Sequence, residues 1–143
     1  MTELRIERSF AADPETVFAF VTQTKHLLKW WGPKGMTVPE HDLDLSQPGP
    51  WSSVMVGGEC NFHKVTGEVI SVDPPNSVEF TWAWHDDDDQ RGHDSKVRFE
   101  ISGDGNGGTK FLLIHSGLED EDSAKNHNTG WTSSLVKLER LVN

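Results

Sequence analysis

The chain has 143 residues, 34% hydrophobic and 25% charged. It reads as one globular domain, 1–143, long enough to bury a core without staples. A formal net charge of −10 argues against nucleic acid and against anionic membrane surfaces, both of which need a basic footprint. The single Cys60 excludes an intrachain disulfide, no apolar run approaches the roughly 18 residues of a membrane span, and Met1-Thr2-Glu3 begins no signal peptide. A cytoplasmic setting is therefore expected.

Leu4, Ile6 and Phe10 alternate with charged and polar residues, the period-two signature of a first strand. Asp13-Pro14 reads as a helix start, with Asp as the cap and Pro at the first helical position, and Val17, Phe18 and Val21 form its buried stripe. Thr24 is placed to cap a second short helix carrying Leu27, Leu28 and Trp31, which Gly32-Pro33 ends. From Met36 to Leu113 no helical stripe occurs. Strand candidates instead follow one another between turns at Pro48-Gly49-Pro50, Gly57-Gly58, Asp73-Pro74-Pro75-Asn76 and 103–108.

The clearest strand puts Val78, Phe80, Trp82 and Trp84 on one face. The next puts Ser95, Val97, Phe99 and Ile101 together, and the last Phe111, Leu113 and His115, with Leu112 and Ile114 making an apolar outward face. From Asp122 onward Ala124, Trp131, Leu135, Leu138 and Val142 form the stripe of a long helix. The order is strand, two short helices, about six strands in an antiparallel meander, then one long helix. A single helix buries its stripe against the concave face of a curved sheet, and such a sheet cannot press onto a rod along its whole length. The remaining gap is filled by large side chains or left as a pocket.

This order and its motifs resemble the START-related helix-grip superfamily (SRPBCC, birch-pollen-allergen-like), and within it the branch of the activator of the heat-shock-protein-90 ATPase, C-terminal domain type. The resemblance rests on residues 10–18 (FAADPETVF), Trp30-Trp31-Gly32-Pro33, Asp44-Leu45 leading to Trp51 and Met55, and Gly67-Glu68-Val69. It continues through Asp73-Pro74-Pro75, residues 80–84 (FTWAW), Gly108-Thr109, residues 115–118 (HSGL) and Gly130-Trp131 with Leu135 and Leu138. It implies an α+β helix-grip fold, a curved antiparallel sheet of six to seven strands around the C-terminal helix. It also implies roles in binding hydrophobic molecules or lipids, in contacts with a chaperone during the stress response, or in cyclase- or hydrolase-like catalysis. Two departures stand out: Gln47-Pro48-Gly49-Pro50 where a Gly-Gly pair is commoner, and Ser52-Ser53 where bulkier residues are usual, which would enlarge one end of the cavity. Nothing in the chain corresponds to the activator's separate N-terminal domain.

The residues expected to line a ligand cavity are Trp31, Trp51, Phe80, Trp82, Trp84, Phe99, Phe111, His115, His127, Asn128 and Trp131. For the aromatics, plain core packing is an equal reading. His115 is first a core histidine with a satisfied ring and second a polar anchor for a ligand, since apolar pockets orient their contents with a few placed polar groups. His127 and Asn128 read first as a solvated helix end and second as a polar rim. Gly130 inside a helix costs about 1 kcal/mol relative to alanine, so something approaches the backbone there, a neighbouring strand more readily than a ligand. Trp30-Trp31 read as core, with Gly32-Pro33-Lys34-Gly35 as a candidate flap.

The acidic run Asp86–Asp89 beside His85 and His93-Asp94 reads as an exposed hairpin tip, because no calcium-loop spacing follows. Cys60 is a small residue rather than a nucleophile, with His63 falling on the opposite strand face. No catalytic constellation, metal ligand set or cofactor motif is expected. The leading expectation is a carrier of a hydrophobic small molecule, monomeric or homodimeric. A chaperone-contact module using Leu112 and Ile114 and an enzyme built around His115 are the alternatives.

Overall fold

The computed structural model describes residues 2–32, 35–57 and 62–142. The first strand, β1 (Thr2–Phe10), leads to α1 (Pro14–Thr22) and α2 (Thr24–Leu27). Six strands follow: β2 (Thr37–Asp42), β3 (Gly49–Val56), β4 (Phe62–Asp73), β5 (Ser77–Trp84), β6 (Ser95–Gly103) and β7 (Thr109–Leu118). The long helix α3 (Glu121–Val142) closes the chain. The sheet is antiparallel throughout in the order β1-β7-β6-β5-β4-β3-β2, so β1 crosses over to pair with the last strand and the rest is a meander. This is the α+β helix-grip architecture, with α3 held against the concave face.

Local chemistry sets the boundaries. Asp13 caps α1, its Oδ1 accepting the Thr16 N–H at 2.9 Å, and the Thr16 hydrogen bond lowers the Asp13 pKa. Thr24 does not cap α2: its hydroxyl donates to the Leu43 carbonyl, tying the short helix to the strand side, and Gln23 takes the cap position without a side-chain bond. Gly32 sits at φ 86°, a conformation open to glycine, just past Trp31. The turn expected at Pro48-Gly49-Pro50 lies earlier, over 46–48, where Asp44 accepts the Ser46 N–H at 2.9 Å, and Gly49 and Pro50 already belong to β3.

Gly67 shapes the middle of the sheet. It lies opposite Trp51 in the β3–β4 pair, and a Cβ built on it would stand 1.9 Å from the Thr81 carbonyl oxygen and 2.7 Å from Trp51 Nε1. The absent side chain lets the Trp51 indole cross β4 and donate to the Thr81 carbonyl at 3.1 Å, while Glu68 N–H turns to the Thr81 hydroxyl at 2.8 Å. An aromatic folded over a strand glycine is a recurrent device for curving a sheet.

The concavity fills from one end. Phe10, Phe111, Phe99, Phe80 and Trp51 stand in a chain with successive ring centroids 5.7, 5.4, 5.3 and 5.5 Å apart. Leu135, Leu138 and Val142 of α3 are buried in the same core cluster. The Ala12 N–H bonds the Val142 carbonyl at 2.9 Å, anchoring the helix end beside β1. The other end of the concavity, beneath the first half of α3, is where space remains.

Candidate functional site: a tryptophan-walled cavity under the long helix

That space is a cavity of about 640 Å³, within the range that holds a small organic ligand. Trp31 and Gly32 bound it from the segment after α2, and Met36 from the approach to β2. Met55 of β3, His63 of β4, and Trp82 and Trp84 of β5 form the sheet side. The helix side is Ser123, Asn126, His127, Gly130, Trp131 and Ser134, with Asp120 and Asp122 at its start. Those helix positions recur at three- and four-residue spacing, so one face of α3 looks into the cavity. A second space of about 310 Å³ on the side of the acidic loop shares Trp82, Trp84, Ser123 and His127 with it.

The walls are aromatic. Trp82 lies 5.1 Å from Trp131, 5.4 Å from Trp84 and 5.8 Å from Trp31, centroid to centroid, and Trp31 meets Trp131 edge-on at 6.0 Å. Their polar edges are mostly spoken for by the protein. The N–H of Trp31 donates to Ser53 Oγ at 2.9 Å, that of Trp84 to His127 Nε2 at 2.9 Å, and that of Trp131 to His115 Nδ1 at 3.1 Å. Trp30 and Trp51 also have partners, the Phe20 and Thr81 carbonyls. Of the six indoles only Trp82 keeps a buried N–H with no partner.

These bonds fix both imidazoles. An indole N–H only donates, so His115 Nδ1 is the acceptor and the ring proton sits on Nε2. From there it reaches Ser95 Oγ at 2.7 Å, and Ser95 in turn donates to the Trp82 carbonyl at 3.0 Å. His115 is fully buried, and burial, reinforced by the neighbouring His127, holds its pKa down at about 3. His127 carries the opposite tautomer: Nε2 accepts from Trp84 and Nδ1–H donates to the Ser123 carbonyl at 2.7 Å. Burial lowers its pKa, partly offset by that carbonyl. The two rings are 4.6 Å apart and crossed at 71°; with every ring nitrogen engaged, both stay neutral.

The arrangement bears on catalysis. In the Ser95–His115 pair the imidazole donates to the hydroxyl instead of accepting its proton, the reverse of what activates a serine nucleophile. The histidine works as a rigid strut between α3, β6 and β5.

Of the residues expected in the cavity, Trp31, Trp82, Trp84, His127 and Trp131 line it. Trp51, Phe80, Phe99 and Phe111 do not: they fill the closed half of the core, at 2% exposure or less. His115 stands behind the wall, supporting Trp131 instead of facing the space. Asn128 is exposed, one residue round the helix from His127, and its Oδ1 accepts from Thr132 at 3.4 Å; Asn126 occupies the cavity face instead. Gly130 borders the cavity. Met36, His63, Ser123 and Ser134 carry too little hydrophobic periodicity to be picked out from sequence.

The acidic run joins β5 to β6 as an exposed loop, in which Asp89 bonds Lys64 at 3.0 Å and His85 at 2.9 Å, both lowering its pKa. No group of three or more His, Cys, Asp or Glu among the described residues could hold a metal ion. Cys60, Pro33 and Lys34, and with them the nucleophile and flap readings, lie outside the described residues. No described helix is long and apolar enough to cross a membrane.

A curved antiparallel sheet gripping one long helix, with a cavity between them, defines a helix-grip protein. The chain belongs to the family of Activator of Hsp90 ATPase homolog 1-like proteins, whose model matches residues 11–143. It is similar to the AHSA1 protein of Silicibacter pomeroyi, at 50% identity over 97% of this chain and 96% of that one, with a TM-score of 0.93. A protein of Chromobacterium violaceum, 23% identical over 98% and 96% of the two chains, superposes with a TM-score of 0.83. One from Mycobacterium smegmatis, 21% identical over 99% and 90%, does so at 0.81. These two show the shared fold. No curated protein matches the chain.

Proposed function

We propose that this protein binds and carries a hydrophobic small molecule in the cavity between β3–β5 and the first half of α3. The carrying observation is the cavity itself, about 640 Å³ and walled by Trp31, Trp82, Trp84 and Trp131. Closing such a space would be the default for a purely structural core, because unfilled volume costs about 24 cal/mol per Å³. Here, instead, a helix glycine and two serines face it where larger apolar residues would fill it.

Native mass spectrometry of protein purified from its own host tests this. A stoichiometric apolar adduct, released by denaturation, is the expected result. Apo protein that also fails to shift Trp fluorescence with a panel of aromatic and lipid ligands contradicts it.

Family membership favours a second reading, a chaperone contact like the one the family is described by. The apolar outward pair Leu112 and Ile114 is a weak platform for it. Both are half-buried and paired in register with Glu7 and Arg5 on one side and Glu100 and Arg98 on the other. Stimulation of the host chaperone's ATPase by the purified protein, abolished by Ile114→Glu, would establish that reading.

A further inference from the structure

The geometry points to a cationic occupant: a protonated or quaternary amine carried on an apolar body, seated among the tryptophans with its charge toward the start of α3. This rests on the cavity being a ligand site and names the class of ligand.

Four indoles give the walls their π surface. The N–H groups of Trp31, Trp84 and Trp131 are held by Ser53, His127 and His115, so their ring carbons are what remains to the cavity. Indole faces attract cations through the ring quadrupole, most strongly where water is excluded. Two of the imidazoles are held neutral, both nitrogens of His127 being bonded and His115 behind it closed in the same way; the third, His63, lies edge-on to Trp84 at 6.2 Å on the sheet side.

Charge at the mouth has one sign. Asp120 and Asp122 border the cavity, and among the described lining residues there is no Lys or Arg. An exposed acidic stretch at a helix start ordinarily serves the helix, and Asp120 does so, its Oδ1 accepting the Ser123 N–H at 2.8 Å. That carboxylate already sits at the positive end of the helix dipole. A carboxylate ligand would thus lose its hydration and meet two carboxylates, with no Lys or Arg among the described lining residues to pair with it. A fatty-acid-like anion is disfavoured, and an amine is matched at both ends. The chain's net charge of −10 acts in the same direction at long range.

Three naphthalenes of nearly one shape separate the terms: 2-naphthylmethylamine, 2-naphthalenemethanol and 2-naphthoate, titrated calorimetrically at about pH 8, above the ordinary imidazole range. The amine is expected to bind about tenfold tighter than the alcohol, combining cation–π attraction with two partly screened carboxylates, and the carboxylate more weakly than either. Asp122→Asn narrows the amine-to-alcohol ratio about threefold, and raised salt narrows it as well. Equal binding of amine and alcohol, or preferred binding of the carboxylate, overturns the cationic assignment while leaving the cavity reading standing. Failure of all three to bind overturns both.

Discussion

Trp82 on the sheet and Trp131 on the helix meet with ring centroids 5.1 Å apart, yet their indole nitrogens have opposite standing. Trp131→Phe strips the donor from His115 Nδ1 and leaves a fully buried acceptor unsatisfied, which costs about 1–3 kcal/mol. Trp82→Phe deletes an N–H that has no partner, so it should cost clearly less despite the loss of ring area. Urea unfolding midpoints of the two variants check the order; a larger loss for Trp82→Phe would mean that its N–H is satisfied after all.

His115 also sets a pH dependence. Its folded pKa of about 3 lies below the ordinary 6.5, so between those values the unfolded chain binds a proton that the folded chain excludes. Stability is full above about pH 6.5 and falls as the pH drops toward 3, by about 1.4 kcal/mol per pH unit for this one group. His127, also lowered by burial, adds to the loss on the acid side of the ordinary imidazole pKa. His115→Gln, which can accept from Trp131 and donate to Ser95, should remove about one proton from the slope of unfolding free energy between pH 6 and pH 4. An unchanged slope would show that His115 is not the group being titrated. The inward aim of His115 was legible from its place in the Phe111–Leu113–His115 alternation. Its role as a strut was not, because Ser95, Trp131 and Trp82 meet it from three other elements.

At the scale of elements, strands and helices followed closely from period and punctuation. Asp13-Pro14 starts α1, the alternations of β5, β6 and β7 run as read, and α3 begins one residue before the expected Asp122. The misplacements have tertiary causes. Thr24 abandons the cap for the Leu43 carbonyl, and the turn near Pro48 is drawn forward by the Asp44 carboxylate. The cavity face of α3 escaped notice because Ser123, Asn126, Gly130 and Ser134 interrupt an apolar stripe where a search by hydrophobicity finds nothing. Gly67 carries a strong constraint within β4. Gly67→Ala places a methyl group against the Thr81 carbonyl and the Trp51 indole, so β4 and β5 must part or Trp51 must swing out. A loss of about 3 kcal/mol is expected, with a change in Trp fluorescence as Trp51 is displaced. A variant as stable as the parent would refute the close approach.

Across the whole molecule, the seven-stranded sheet meets one helix and satisfies it unevenly. Leu135, Leu138 and Val142 press into a closed core with the phenylalanine chain, whereas the half from Ser123 to Ser134 stands off over the tryptophans. Composition and order of elements foretold that a gap must exist. They did not foretell which aromatics would plug it and which would line it, since Phe80, Trp82 and Trp84 share one strand face and differ only in how far α3 stands away from them.

The central claim is that the space over the tryptophans is kept open for a ligand, and Gly130→Leu tests it most directly. The substitution puts a side chain into the cavity from the helix and replaces a poor helix former by a good one, a propensity gain of just under about 1 kcal/mol. Calorimetric titration of parent and variant with 2-naphthylmethylamine, alongside their melting temperatures, separates function from stability. The account predicts saturable one-to-one binding by the parent, at least about tenfold weaker binding by the variant, and a melting temperature held or raised. Equal binding by both proteins, or a parent that binds neither this amine nor the matching alcohol and carboxylate, would contradict it.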